Sequence, residues 1–95
     1  MAATARTGGH LQAAVVEELR VELTRRQWAR SRLADESGIP RSTIYKLLRD
    51  EHVLDVSELG RICSALDVSP AELVKRAERL SDEATVAIAD LGRSD

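Results

Sequence analysis

The stretch RLADESGIPRSTIYKLLRD, residues 32–50, places a Gly-Ile-Pro corner between two short segments of helix-forming residues. A helix that only packs against a core needs few polar donors, yet the segment after this corner is crowded with them. Six of its side chains can donate hydrogen bonds: Arg41, Ser42, Thr43, Tyr45, Lys46 and Arg49. The pattern therefore indicates a helix whose polar side contacts a partner.

The corner itself predicts where one helix ends and the next begins. A glycine just past a helix adopts the left-handed conformation at low cost, so Gly38 predicts the end of a helix over residues 29–37. Proline suits the first position of a helix, where its missing N–H costs nothing, so Pro40 predicts a new helix over residues 40–49. The apolar residues expected to face inward here are Ile39, Ile44, Leu47 and Leu48.

Capping signals and apolar spacing predict the other helices. Residues 11–26 read as an amphipathic helix with Glu22 on the side away from the core. Asp55 with Glu58 three residues later is a capping box for a fourth helix. Ser69 before a proline starts a fifth helix over residues 70–80, and Ser81 starts a sixth that ends near residue 91. The residues expected in the core are Val15, Val16, Leu19, Leu23, Leu33, Ala34, Val56, Leu59, Ile62, Cys63, Leu66, Leu73, Val74 and Ala77.

Length and composition favour one small all-α domain. Hydrophobic residues make up 43 % of the 95 residues, which is enough for a core, and strong helix formers dominate the chain. The single cysteine excludes an internal disulfide and a cysteine-cluster metal site. His10 and His52 stand apart from other metal-ligand types, so we expect no metal and no cofactor. No apolar run approaches the roughly 20 residues of a membrane span, and no signal-peptide block is present. The expected location is therefore the cytoplasm.

The net charge of −2 hides an asymmetry along the chain. Residues 24–50 hold seven basic and three acidic residues and carry +4, whereas the rest of the chain holds seven basic and thirteen acidic residues and carries −6. Local charge sets the potential at a docking surface, so the segment around the corner is suited to an anionic partner.

Residues 30–49, RSRLADESGIPRSTIYKLLR, resemble the helix-turn-helix of the phage-repressor family that includes lambda repressor and Cro, often called XRE. Ala34 stands where that family keeps a small residue so that the two helices can approach, and Gly38 falls in the turn. Residues 54–74, LDVSELGRICSALDVSPAELV, are similar to the family's fourth helix and the start of its fifth. The resemblance implies a five- to six-helix lambda-repressor-like bundle over residues 11–80. Residues 1–10 are small and polar and contain glycine, so they are expected to be a disordered arm. Residues 81–95 are expected to form a C-terminal helix and tail.

Three residues depart from the family's pattern. Ala29 stands where the family usually has a serine or threonine cap. Arg30 replaces the common glutamine that hydrogen-bonds the DNA backbone, and Pro40 replaces the usual serine before the recognition helix. These departures concern DNA contacts rather than the fold.

The resemblance implies a sequence-specific regulator that binds double-stranded DNA with helix 40–49 in the major groove. It is expected to be a repressor or a Cro-like protein of a bacterium or phage, acting at the nucleoid or in an infected host cell. Residues assigned to base readout are Arg41, Thr43, Tyr45 and Lys46. Residues assigned to phosphate contact are Arg30, Ser42 and Arg49, and those assigned to general attraction are Arg25, Arg26 and Arg32. The alternatives are that these cations are a solvated surface and that the Tyr45 ring covers the core.

A dimer on a palindromic operator is expected, because a small domain makes few base contacts on its own. The candidate seam consists of Ala84, Ala87, Ile88 and Leu91, although it could instead pack on the first helix of its own chain. A second hypothesis is a protein-interaction module, since antitoxins of this family bind both DNA and a toxin. An enzyme is not expected, because the sequence has no supported Ser-His-Asp set, no phosphate-binding glycine loop and no HExxH. The operator, the sign of regulation and the presence of a further domain stay open.

Overall fold

The computed structural model describes residues 9–92, with side chains described up to Asp82. Within this range the chain is all-helical, with no strand, as predicted. The five helices are α1 Gly9–Arg26, α2 Arg30–Ser37, α3 Arg41–Leu48, α4 Val56–Leu66 and α5 Pro70–Gly92. The disordered arm predicted for residues 1–10 lies outside the described residues except for Gly9 and His10, which belong to α1.

The core is aliphatic and lies where the helices meet. The helix α5 packs along α1, while α2 packs against both α3 and α4. Burying one leucine or isoleucine stabilises a fold by about 1.5–3 kcal/mol, so the fully buried leucine and isoleucine side chains account for much of the driving force for folding. The fully buried large side chains are Leu19, Leu33, Ile44, Leu47, Ile62, Leu66 and Leu73.

Most of the predicted core residues are buried. The prediction is confirmed for Val15, Val16, Leu19, Leu23, Leu33, Ala34, Ile39, Ile44, Leu47, Leu48, Ile62, Cys63, Leu66, Leu73 and Ala77. Leu59 and Val74 are only partly buried, and Leu59 packs against the core. Cys63 is completely buried, and this burial raises the pKa of its thiol above the ordinary value of 9.0. The thiol is therefore protonated at neutral pH and acts as a small packing residue.

The helix ends follow the predicted capping chemistry. Asp55 Oδ1 accepts a hydrogen bond from the Glu58 N–H at 2.7 Å, and the Asp55 N–H donates to Glu58 Oε1 at 3.1 Å, which completes the capping box. Ser69 Oγ accepts from the Glu72 N–H at 3.3 Å. Ala29, at the start of α2, provides no side-chain cap.

The Gly-Ile-Pro corner joins α2 to α3. Gly38 has φ 75° and its N–H donates to the Ala34 carbonyl at 2.9 Å, so it ends α2 in the left-handed conformation as predicted. Pro40, expected at the first helical position, instead lies one residue earlier as the N-cap with ψ 143°. Its carbonyl accepts the first helical hydrogen bond, from Ile44. The fixed φ of proline suits either position.

Two sequence expectations about buried and exposed residues were wrong. Glu22 was expected on the side away from the core, yet it is 3 % exposed because Arg76 of α5 covers it. Val56 was expected in the core, yet it is 86 % exposed, because as the first residue of α4 it lies on the solvent side of the helix.

The predicted break before a sixth helix was also wrong. The helix α5 continues through Ser81 to Gly92, since neither glycine nor proline interrupts it before that residue. The proposed dimer seam of Ala84, Ala87, Ile88 and Leu91 falls within α5, beyond the residues whose side chains are described. Over residues 9–92, no helix combines the length and apolar character that a membrane crossing requires.

Candidate nucleic-acid interface

The helix α3 has one apolar side and one polar side. Ile44, Leu47 and Leu48 are buried against the other helices. Residues three or four positions apart share a side of a helix, so Ser42 and Lys46 point the same way. The structure leaves exposed the predicted site residues Arg41, Ser42, Lys46 and Arg49, and it leaves Thr43 and Tyr45 half-buried. The predicted donors of α3 therefore form one continuous surface.

Arg30 joins this surface from the start of α2. Its guanidinium carbon lies 4.9 Å from the centroid of the Tyr45 ring, within the range of a cation–π contact. The Tyr45 ring also packs against the core. Two residues to which the sequence assigned different roles are thus in contact, and covering the core is part of what Tyr45 does.

Two arginines of the α3 surface have acidic partners in the same chain. Arg41 Nη2 lies 3.3 Å from Asp35 Oδ2, across the corner, and Arg49 Nε lies 3.2 Å from Glu51 Oε1. All four side chains are more than half exposed, so each pair contributes only about 0–1 kcal/mol to stability. Among the described residues Lys46 has no ion-pair partner. The acidic partners were not predicted, because neither spacing is a helical i, i+3 or i, i+4 pair.

The three arginines assigned to general attraction all make contacts within the chain. Arg25 and Arg26 pair with the buried Glu22 at 3.3 and 3.2 Å. Arg32 lies over the Trp28 ring at 4.3 Å and pairs with Glu36 at 3.8 Å. Arg25 and Arg32 remain more than half exposed despite these contacts.

Two side chains of α1 hold the end of α3 and the loop that follows. Arg20 Nη2 donates to the carbonyl of Leu48, the last residue of α3. Gln12 Oε1 accepts from the Leu54 N–H at 2.8 Å, and Gln12 Nε2 donates to the His52 carbonyl at 2.8 Å. Neither contact was predicted from the sequence, because the partners lie 28 to 42 residues away. Both contacts fix the position of the α3 surface on the core.

An open groove of about 610 Å³ runs beside this surface, between the end of α1, the start of α2 and the end of α3. Its apolar lining comes from Leu23, Trp28 and Leu48. Three arginines line it as well, namely Arg20, Arg30 and Arg49. The groove therefore places arginines of α1, α2 and the end of α3 beside the α3 surface. Among the described residues, no three His, Cys, Asp or Glu side chains are grouped as metal ligands would be.

Comparison with known proteins matches this architecture to one family. The family model described as the Cro/C1-type HTH DNA-binding domain matches residues 18–78. The match begins within α1 and ends within α5, so it includes both helices of the corner and covers more than half of the chain. No significant match was found among curated proteins or solved structures. The family is defined by DNA binding, and the match offers no support for catalysis.

Proposed function

The chain belongs to the Cro/C1-type helix-turn-helix family of DNA-binding domains, and from this premise we propose that it is a sequence-specific transcriptional regulator that reads double-stranded DNA through α3. The observation that carries the proposal is the exposed polar surface of α3, held on a rigid aliphatic core. An α-helix is about 10–12 Å across, and the major groove is about 12 Å wide, so α3 can enter it.

Arg41 is the principal candidate for base readout. It is the first residue of α3, and in helix-turn-helix domains the N-terminal end of the second helix reaches the base edges. Its planar guanidinium can donate two hydrogen bonds to O6 and N7 of guanine, a contact that discriminates between bases by about 1–3 kcal/mol. Thr43 and Lys46 lie further along α3 and supply additional donors. Tyr45 contributes through the exposed part of its ring.

The DNA backbone is the proposed partner of the cations around the groove beside α3. Arg30 and Arg49 line that groove, and Arg20 lies there as well. Phosphate contacts position a protein on the duplex without reading its sequence, and they make affinity depend on salt. Ser42, exposed near the start of α3, is a short donor suited to the same role.

We further propose that two copies bind two half-sites about 34 Å apart, one helical turn of DNA. The seam of Ala84, Ala87, Ile88 and Leu91 on α5 is the proposed contact between them, because its members are spaced three, one and three residues apart, as on one side of a helix. As a repressor or Cro-like regulator it would act on DNA in the cytoplasm of a bacterium or of a phage-infected cell.

The proposal is tested by selecting bound duplexes from a random pool at two salt concentrations. We expect one enriched motif that persists at the higher salt, with two symmetric halves if the protein binds as a dimer. Uniform weak binding that disappears at the higher salt would reflect phosphate attraction alone and would contradict the proposal. That result would direct attention to a protein partner of the kind that antitoxins have.

A further inference from the structure

Asp35 and Arg41 lie on opposite sides of the corner, one near the end of α2 and the other at the start of α3. Arg41 Nη2 is 3.4 Å from Asp35 Oδ1 and 3.3 Å from Asp35 Oδ2. The side chains are 60 % and 65 % exposed for Arg41 and Asp35, respectively. The carboxylate therefore stands on the same exposed surface that we propose contacts DNA.

A surface pair of this kind adds little to folding, so its consequence concerns the behaviour of Arg41. A free arginine side chain has a large rotamer entropy, part of which must be lost when it binds. Contact with Asp35 restricts the guanidinium before DNA arrives. Asp35 contacts only Nη2, which carries two N–H groups, so a second Nη2 N–H and the neighbouring N–H on Nε or Nη1 can still donate together to a base.

The charge of Asp35 also distinguishes between two places where Arg41 could bind. A phosphate next to Arg41 would bring its negative charge close to the carboxylate, and charges within a Debye length of about 8 Å repel at physiological salt. The O6 and N7 atoms of guanine accept hydrogen bonds but carry no net charge. The carboxylate thus penalises a phosphate contact more than a guanine contact.

We propose that Asp35 is a specificity-determining residue, which positions the Arg41 guanidinium for guanine and disfavours binding of Arg41 to the DNA backbone. This inference rests on the proposed function, because it concerns how α3 discriminates between DNA sequences. Asp35 acts through Arg41 and needs no contact with a base of its own.

Glu36 provides a matched control for Asp35. It is the next residue of α2, it carries the same charge, and its side chain is also exposed. Its partner, Arg32, belongs to α2 and stacks on Trp28, so this pair does not cross to α3. Replacing Glu36 by glutamine removes the same charge from α2 while leaving Arg41 and its partner in place.

The test compares Asp35→Asn and Glu36→Gln with the parent protein by fluorescence anisotropy. Three duplexes are used: the motif selected by the parent protein, the same motif with single guanines replaced, and a random sequence. We expect Asp35→Asn to lower the ratio of motif affinity to random affinity about tenfold and to weaken discrimination at one guanine position. Glu36→Gln should strengthen binding to all three duplexes by the same factor and leave the ratio unchanged.

A double-mutant comparison shows whether Asp35 acts through Arg41. In an Arg41→Ala background, Asp35→Asn should have no further effect on the affinity ratio. Three results would each overturn the inference while leaving the proposed function intact. The affinity ratio could stay unchanged in Asp35→Asn, it could fall equally in Glu36→Gln, or Asp35→Asn could lower it as much without Arg41 as with it. If the parent protein selects no motif at all, the proposed function fails and the inference fails with it.

Discussion

Glu22 of α1 and Arg76 of α5 form an ion pair in which Arg76 Nη1 lies 2.9 Å from Glu22 Oε2. The same carboxylate also pairs with Arg25 and Arg26 at the end of α1, so it is shared by three guanidinium groups. Glu22 is almost fully buried, whereas the Arg76 side chain is 33 % exposed. One buried carboxylate therefore links the first and last helices of the domain.

This link predicts a pH-dependent contribution to stability. Burial by itself raises the pKa of Glu22, but hydrogen bonds from Arg76 and Arg26, together with the charges of Arg25 and Arg26, outweigh it and hold the pKa below the ordinary value of 4.5. The ionised carboxylate therefore stabilises the fold above about pH 4.5, and this contribution is lost as the pH falls through the folded-state pKa. We expect Glu22→Gln to lower the free energy of unfolding by about 2 kcal/mol near neutral pH, the magnitude of losing hydrogen bonds to a charged group.

Urea denaturation at neutral and acidic pH measures this effect. The difference between the parent protein and Glu22→Gln should shrink as the pH falls below about 4.5 and through the lower pKa of Glu22 in the folded state. Glu78→Gln, an exposed substitution on α5, is the matched control and should change stability by less than about 0.5 kcal/mol at either pH. A Glu22→Gln difference that stays constant with pH would contradict this account of the cluster.

A second prediction concerns Gln12, which is 8 % exposed and ties α1 to the loop between α3 and α4. Its amide satisfies the Leu54 N–H and the His52 carbonyl, and its Nε2 also lies 3.1 Å from Asp50 Oδ1. Gln12→Ala leaves these partly buried groups without a partner, which should cost about 2 kcal/mol of stability.

Amide hydrogen exchange provides the local measurement for this variant. Exchange at the Leu54 N–H should accelerate more than the loss of global stability explains. The Leu59 N–H, which donates to the Asp55 carbonyl, serves as the internal reference. Equal acceleration at both amides would mean that Gln12 contributes to general stability without holding the loop.

The missing cap of α2 gives a third prediction. Ala29 occupies the N-cap position with φ −73° and ψ 157° and makes no side-chain hydrogen bond there. Serine fits this backbone conformation, and its hydroxyl can accept from the first turn of α2, so Ala29→Ser should stabilise the domain by about 1 kcal/mol. A thermal melt should show a rise in Tm of about 4–8 °C for a domain of this size.

The control for this prediction is Ala13→Ser, which places the same residue on an exposed position within α1. Serine has a lower helix propensity than alanine, so this change should lower Tm slightly. A melt in which Ala29→Ser behaves like Ala13→Ser would show that the start of α2 gains nothing from a cap.

The features that the sequence predicted correctly depend on residues close together in the chain. Gly38 ends α2 and Asp55 caps α4 because each acts on backbone groups within four residues. Ser81 misled the prediction for a local reason as well: serine followed by acidic residues is a start signal that a continuing helix also tolerates.

The features that the sequence did not predict depend on distant residues. Glu22 is buried because α5 brings Arg76 to it from 54 residues away. In the same way, α3 could be recognised by its donors. The contacts of Asp35 with Arg41 and of Arg20 with the Leu48 carbonyl became evident only from the packing of α2 and α1 against α3. Spacing within one helix predicts most of its buried residues, but it does not show which side chain of another helix each residue meets.

The central claim is that α3 reads base sequence through Arg41. Its most direct test is to measure the affinity of Arg41→Ala for the selected motif and for a random duplex at one salt concentration. Arg79→Ala removes the same charge from an exposed position on α5 and is the control. We expect Arg41→Ala to weaken binding to the motif about ten- to a hundredfold while affecting the random duplex little, and Arg79→Ala to preserve the preference for the motif. An equal loss on both duplexes for Arg41→Ala would contradict the claim, because it would mean that Arg41 contacts only phosphate.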